Sequence, residues 1–194
     1  MNQESRPVAV VTGASRGAGK GIALALGGRG YTVYVTGRSE RAGDAPLPGT
    51  IHDTAAEIDR LGGHGIAVSC DHGDDEQVRA LFERIAREQD GRLDILVNNA
   101  CAIPDELVQP GGFWEKPLSL LSLLNVGMRS NYVASYYAAP LMVARRSGLI
   151  VHTSSFGGTC YMHGPAYGAG KAAVDKMAHD MAVELRPHNV AVVS

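Results

Sequence analysis

The chain has 194 residues, 45% of them apolar, and a formal net charge of −2 at pH 7. That length and apolar share support one domain with a sizeable core and exclude an intrinsically disordered chain. With no basic excess and no apolar run of membrane-spanning length, the sequence argues against a nucleic-acid surface, an anionic-membrane surface and a membrane anchor.

The polar start, Met1 to Pro7, leads straight into a strand and lacks the pattern of a signal peptide. Cys70, Cys101 and Cys160 are far apart and odd in number, and the seven histidines show no metal-binding spacing. A reduced, cytoplasmic protein with no structural metal is expected.

A short apolar β-type segment, 7–11, runs into Thr12-Gly13-Ala14-Ser15-Arg16-Gly17-Ala18-Gly19, and a helix follows over 17–28. Gly30 turns into a β-branched and aromatic strand, 31–36. After Arg38 comes a polar loop, 39–49, with two prolines and two glycines. Thr50 is placed to cap a helix over 51–61, which Gly62-Gly63 ends. A strand over 65–70 precedes a helix over 75–88, with Val78, Leu81, Phe82 and Ile85 on one face. The fourth strand, 93–97, is nearly all apolar, as a central parallel strand should be, and ends in Asn98-Asn99-Ala100.

An irregular segment, 101–117, carries the single tryptophan, Trp114. A helical pattern then covers 118–145, where Pro140 is expected to kink or divide it. The fifth strand, 148–153, ends at Ser154-Ser155. A glycine-rich loop leads to Tyr167 within a helix over 165–185, and 190–193 is a sixth strand. This alternation predicts a parallel α/β sheet in one domain over 1–194.

A strand, a tight glycine turn and a helix start together make an anion site. The helix start offers free N–H groups and the positive end of its dipole, and glycine lets a pyrophosphate approach the backbone. The spacing is Gly-x3-Gly-x-Gly, not the Gly-x-Gly-x2-Gly of the commoner dinucleotide fingerprint. Tyr167 and Lys171, four apart in a helix, share one face. A phenol ionises near pH ~10, and a neighbouring ammonium favours its ionised form. Each motif alone also reads as an ordinary turn or a surface pair; it is their company that carries the argument.

Taken in order, Thr12-Gly13-x3-Gly17-x-Gly19, Asn98-Asn99-Ala100, Ser154-Ser155 and Tyr167-x3-Lys171 resemble the short-chain dehydrogenase/reductase family, classical type. The resemblance covers essentially the whole chain. It implies a Rossmann-type doubly wound parallel sheet in the order 3-2-1-4-5-6. It also implies a nicotinamide dinucleotide held by Thr12, Gly13, Ser15, Arg16, Gly17, Ala18 and Gly19, with Asp71 at the adenine and Asn99-Ala100 along the adenosine ribose. Tyr167 would transfer the proton, and Lys171 would tune it and hold the ribose. Ser155, in preference to Ser154, would polarise the substrate carbonyl, and Asn125 would order a water leading to the lysine. A 2′-OH calls for a carboxylate after the second strand, where this chain has Gly37 and then Arg38. With Arg16 inside the glycine turn, two guanidinium groups are available for a 2′-phosphate, which favours NADP over NAD.

The expected function is NADP(H)-dependent hydride transfer between nicotinamide and a carbonyl or secondary alcohol. Two other readings stay open: a catalytically silent NAD(P)-binding sensor or scaffold, and an enoyl reductase of the same family. Cys101 and Gly170 stand where the family usually has Gly and often has Ser. Family members also continue past the sixth strand into a seventh, so the chain reads as C-terminally truncated. The expected partner is a small carbonyl or alcohol substrate. The helices over 118–145 and 165–185, apolar on more than one face, predict a homodimer or homotetramer.

Overall fold

The computed structural model describes residues 6–194. The polar start at residues 1–5 lies outside the described residues. Six strands, β1 (Val8–Val11), β2 (Thr32–Gly37), β3 (His64–Ser69), β4 (Ile95–Asn98), β5 (Gly148–His152) and β6 (Val190–Val193), form one sheet in the order β3-β2-β1-β4-β5-β6. All five pairings are parallel, with Val10 opposite Tyr34 on one side and Leu96 on the other. This is the doubly wound α/β arrangement expected from the strand–helix alternation.

The period of two along each strand divides the core. Val8, Val10, Tyr34, Leu96 and Ile150 face α3 (Asp75–Glu88), α5 (Ser130–Arg145) and α6 (Pro165–Leu185). Val11, Val33 and Val35 face α1 (Gly17–Gly27) and α2 (Ile51–Arg60). Each such aliphatic side chain, fully buried, contributes about 1.5–3 kcal/mol relative to exposure. Thr50 caps α2 as its position foretells: its hydroxyl accepts from Asp53 N at 3.0 Å, and the Asp53 carboxylate accepts from Thr50 N at 3.1 Å.

The stretch 118–145 differs from the expected single helix. A turn of 3-10 helix at Leu118–Leu121 and a single α turn, α4 (Ser122–Leu124), lead into a wide bend over Asn125–Arg129 before α5 begins. The chain leaves helical geometry at Val126 and at Gly127, whose φ is 143°. Pro140 divides nothing. It sits inside α5 on the exposed side, so water can reach the carbonyl left without a partner N–H.

Candidate active site

The carboxyl ends of β1, β4 and β5 meet at one crevice, where hydrogen bonds tie the end of β1 to the end of β4. Thr12 Oγ1 accepts from both Asn99 N and Ala100 N at 2.9 Å. In return Asn99 Nδ2 donates to Thr12 O at 2.9 Å and Gly13 O at 3.1 Å. The Asn99 amide thus holds the glycine turn against β4. Gly13 has φ 64°, and a Cβ there would come within 2.8 Å of the Ala100 backbone. Gly17, φ 58°, is the opposite case: a Cβ on it would meet nothing within 4 Å. Open space therefore lies over the start of α1, which has no side-chain cap and no acidic residue in its first turn. Free N–H groups facing open space fit the pyrophosphate of a dinucleotide.

Ser15 is buried in the same turn, and Arg16 follows it as the residue preceding α1. The Arg16 guanidinium donates to Ser39 Oγ and Gly49 O at 2.8 Å and to Pro48 O at 3.2 Å. It is engaged with the 39–49 loop. Arg38 is 75% exposed, its Nη1 3.7 Å from Asp71 Oδ2. The other Asp71 oxygen accepts from Gly73 N at 2.8 Å. Beside it His72 is buried, its Nε2 2.8 Å from Thr36 Oγ1, and burial pushes its pKa down to about 4.

At the end of β5, Lys171 Nζ donates to Thr153 O at 2.8 Å and lies 5.8 Å from the centroid of the Tyr167 ring. The two residues line a small pocket with Cys101, Leu123, Gly127, Ala166 and Gly170. Burial pushes the Cys101 thiol up, and the nearby Lys171 charge opposes that. The two serines differ. Ser154 Oγ is buried without a protein partner, whereas Ser155 Oγ accepts from Gly157 N at 2.9 Å. A Cβ on Gly157 would lie 2.7 Å from Tyr167 Cε1 and 3.2 Å from Ser155 Oγ. Ser155 and the phenol therefore flank the same point.

Asn125 is not in this group. It is exposed, with its amide on the side of the Asp71–Gly73 turn: a Cβ on Gly73 would lie 3.4 Å from Asn125 Nδ2. The bend itself decides this, since the turn out of helical geometry at Val126 presents Gly127, not Asn125, to the pocket. Asn131 Nδ2 holds the Gly127 carbonyl at 3.0 Å, and Asn131 O accepts from Ser135 Oγ at 2.8 Å.

The model of the short chain dehydrogenase family matches residues 7–194. The mouse protein "Dehydrogenase/reductase SDR family member 1" is 48% identical over 190 residues. The chain belongs to the short-chain dehydrogenase family. The match with the mouse protein covers 96% of this chain and 58% of that protein, so the chain spans less than two thirds of that relative's length. The 1-cyclohexenylcarbonyl-CoA reductase of Streptomyces collinus is 35% identical, over 97% of this chain and 63% of that protein. A metagenomic short-chain oxidoreductase, solved in complex with NADP, superposes with a TM-score of 0.83 at 31% identity, over 95% of this chain and 78% of that one. A short-chain alcohol dehydrogenase from Sinorhizobium meliloti also gives 0.83, at 28% identity over 96% and 69%.

The short-chain dehydrogenase family is one of oxidoreductases that bind a nicotinamide cofactor, and the glycine turn of this chain fits one. Motif spacing reaches Tyr167, Lys171 and the serine pair but not Thr153, Ser39 or Gly127, which act through backbone carbonyls, a loop hydroxyl and a bend. Among the described residues no three His, Cys, Asp or Glu side chains gather to hold a metal, and no helix is long and apolar enough to cross a membrane.

Proposed function

We propose that the protein is an NADP(H)-dependent carbonyl reductase or secondary-alcohol dehydrogenase with Tyr167 as its general acid and base. The observation that carries this is the placing of Tyr167 and Ser155 about one point, with Lys171 Nζ 5.8 Å from the Tyr167 ring and fixed by Thr153 O. Ser155 Oγ donates a hydrogen bond to the substrate carbonyl oxygen and draws negative charge onto it. Tyr167 gives its phenolic proton to that oxygen in reduction and takes it from the alcohol in oxidation. The Lys171 ammonium stabilises the charge left on the phenol oxygen. Bound in the crevice, the nicotinamide supplies the hydride or accepts it. Thr12, Gly13, Gly17, Ala18, Gly19 and Ala100 would form the floor under the dinucleotide. Preference for NADP is supported by Arg38 directly after β2 with no carboxylate at Gly37, by Arg16 in the glycine turn bonded to Ser39, and by the NADP-bound neighbour. Three free thiols support a cytoplasmic setting.

In the full protein, Tyr167→Phe should keep NADPH affinity while turnover falls by about 10²-fold or more, the scale of a positioned general acid. Ketone reduction near the parent rate would overturn the mechanism. The Streptomyces collinus relative, named for a reductase of a cyclohexenyl thioester, keeps a second reading in view: attack on C=C. Product analysis with 2-cyclohexenone separates them, the allylic alcohol marking carbonyl reduction and cyclohexanone marking enone reduction.

A further inference from the structure

A cavity of about 320 Å³ opens beside the Tyr167 pocket and shares Leu123 and Ala166 with it. Leu107, Phe113, Leu118 and Leu121 give it apolar walls. Its one ammonium, Lys116 Nζ, is held at the wall by donating to Leu107 O at 3.2 Å. Where this cavity nears the phenol stands His163, a lining residue whose backbone is left-handed at φ 55°. Gly164 follows with φ 91°, and α6 begins at the next residue. Few side chains adopt the left-handed region, and here two successive residues do so immediately before the helix that carries Tyr167. The result is an edge-on contact: the His163 and Tyr167 ring centroids are 5.2 Å apart, with planes at 86°. Among the described residues the imidazole makes no hydrogen bond or ion pair, so the phenol ring is its fixed neighbour.

We propose that His163 is the positioning and specificity-determining residue of this site, setting the angle of the Tyr167 ring and closing the end of an apolar chamber that takes the bulky apolar body of a carbonyl compound. This rests on the reading of Tyr167 as the acid and base. An imidazole edge against the ring limits how far the phenol can swing, and small misplacements of a reacting group are costly. The same imidazole shortens the chamber, so its bulk decides how large a body reaches the phenol.

The test uses His163→Asn, which tolerates the left-handed backbone but lacks the ring, and His163→Phe, which restores an aromatic edge. Cyclohexanone and 2-decalone serve as small and bulky probes, with NADPH and the full protein. His163→Asn is expected to lower kcat for both ketones about tenfold. It should also move the ratio of KM values about fivefold in favour of 2-decalone. His163→Phe should return both toward the parent. A His163→Asn protein with parental kcat and parental KM ratio would overturn the proposal, since it would show a mere turn residue.

A second measurement needs no turnover. Trp114, the only tryptophan, meets Phe113 edge-on at 5.3 Å, and Phe113 lines the chamber. Titration of Trp114 emission with each ketone reports occupancy directly. If the parent reduces no ketone, the acid–base reading fails on its own, and the emission titration still decides about the wall. A ratio of dissociation constants shifted by His163→Asn supports it, and an unchanged ratio overturns it.

Discussion

The Arg16 guanidinium is bonded to Ser39 Oγ, Gly49 O and Pro48 O, and to meet a 2′-phosphate it would exchange one of those acceptors for a phosphate oxygen. Arg38, 75% exposed and 3.7 Å from Asp71, has less to give up. Charge-assisted hydrogen bonds contribute about 1.5–3 kcal/mol each, so replacing both arginines by Ala should weaken NADPH at least about tenfold and leave NADH nearly unchanged. Arg16→Ala alone should also loosen the 39–49 loop, visible as faster proteolysis there, whereas Arg38→Ala should not. Equal losses for the two cofactors in a binding titration would show that the arginines do not read the phosphate. At this scale the sequence tells residue kind better than aim. Tyr167 and Lys171 were legible because a spacing of four fixes a helix face, and Gly13 and Gly17 because only a turn needs them there. The aim of Arg16 depends on where a proline- and glycine-bearing loop folds back. Asn125 was misplaced because its direction is set by the dihedral angles of its neighbours, which leave no periodic trace.

Between α4 and α5 the bend at Val126–Gly127 brings Gly127 into the wall of the pocket that Tyr167 and Lys171 line. Gly127 has φ 143°, and a Cβ there would come within 2.9 Å of Cys101 Sγ. A non-glycine residue in such a region costs on the order of 1–3 kcal/mol, before any clash. Gly127→Ala should therefore lower the melting temperature by several degrees, roughly 2–8 °C for a chain of this size, and reduce turnover by disturbing Lys171 and Tyr167. Adding Cys101→Ala should recover the part due to the sulfur contact but not the part due to the backbone, a coupling that a double-mutant cycle measures. Parental stability of Gly127→Ala would show the bend to be soft. The six strands were legible to within about two residues, because β-branched runs bounded by glycine and polar turns mark them. The 118–145 stretch was not, because Leu123, Leu124, Val126 and Met128 keep an apolar pattern going through the bend and mask it.

Across the whole molecule, the sheet is covered on both faces, yet apolar surface remains outside. Tyr132 and Tyr136, one turn apart on α5, are 53% and 64% exposed, and Val183 on α6 is 55% exposed. Tyr136 also meets Tyr137 edge-on at 5.1 Å, which holds its ring outward as a ready contact. A self-complementary patch of this kind is closed most economically by a two-fold axis, each α5 meeting its copy. A stable pairing of that kind needs about 1,000 Å² or more of buried surface, so α6 is expected to join α5 in it. The full protein should therefore sediment at micromolar concentration as a dimer or tetramer. Tyr136→Asp, which puts a charge into the patch, should shift it toward monomer with its circular dichroism unchanged. A parent that sediments as a monomer would refute the assembly, and an unchanged Tyr136→Asp mass would move the interface off α5. Because α6 carries Tyr167 and Lys171 in its first two turns and Val183 near its far end, assembly also bears on chemistry. Monomerisation should lower turnover more than NADPH affinity, since the glycine turn and α1 lie on the other side of the sheet from α5 and α6.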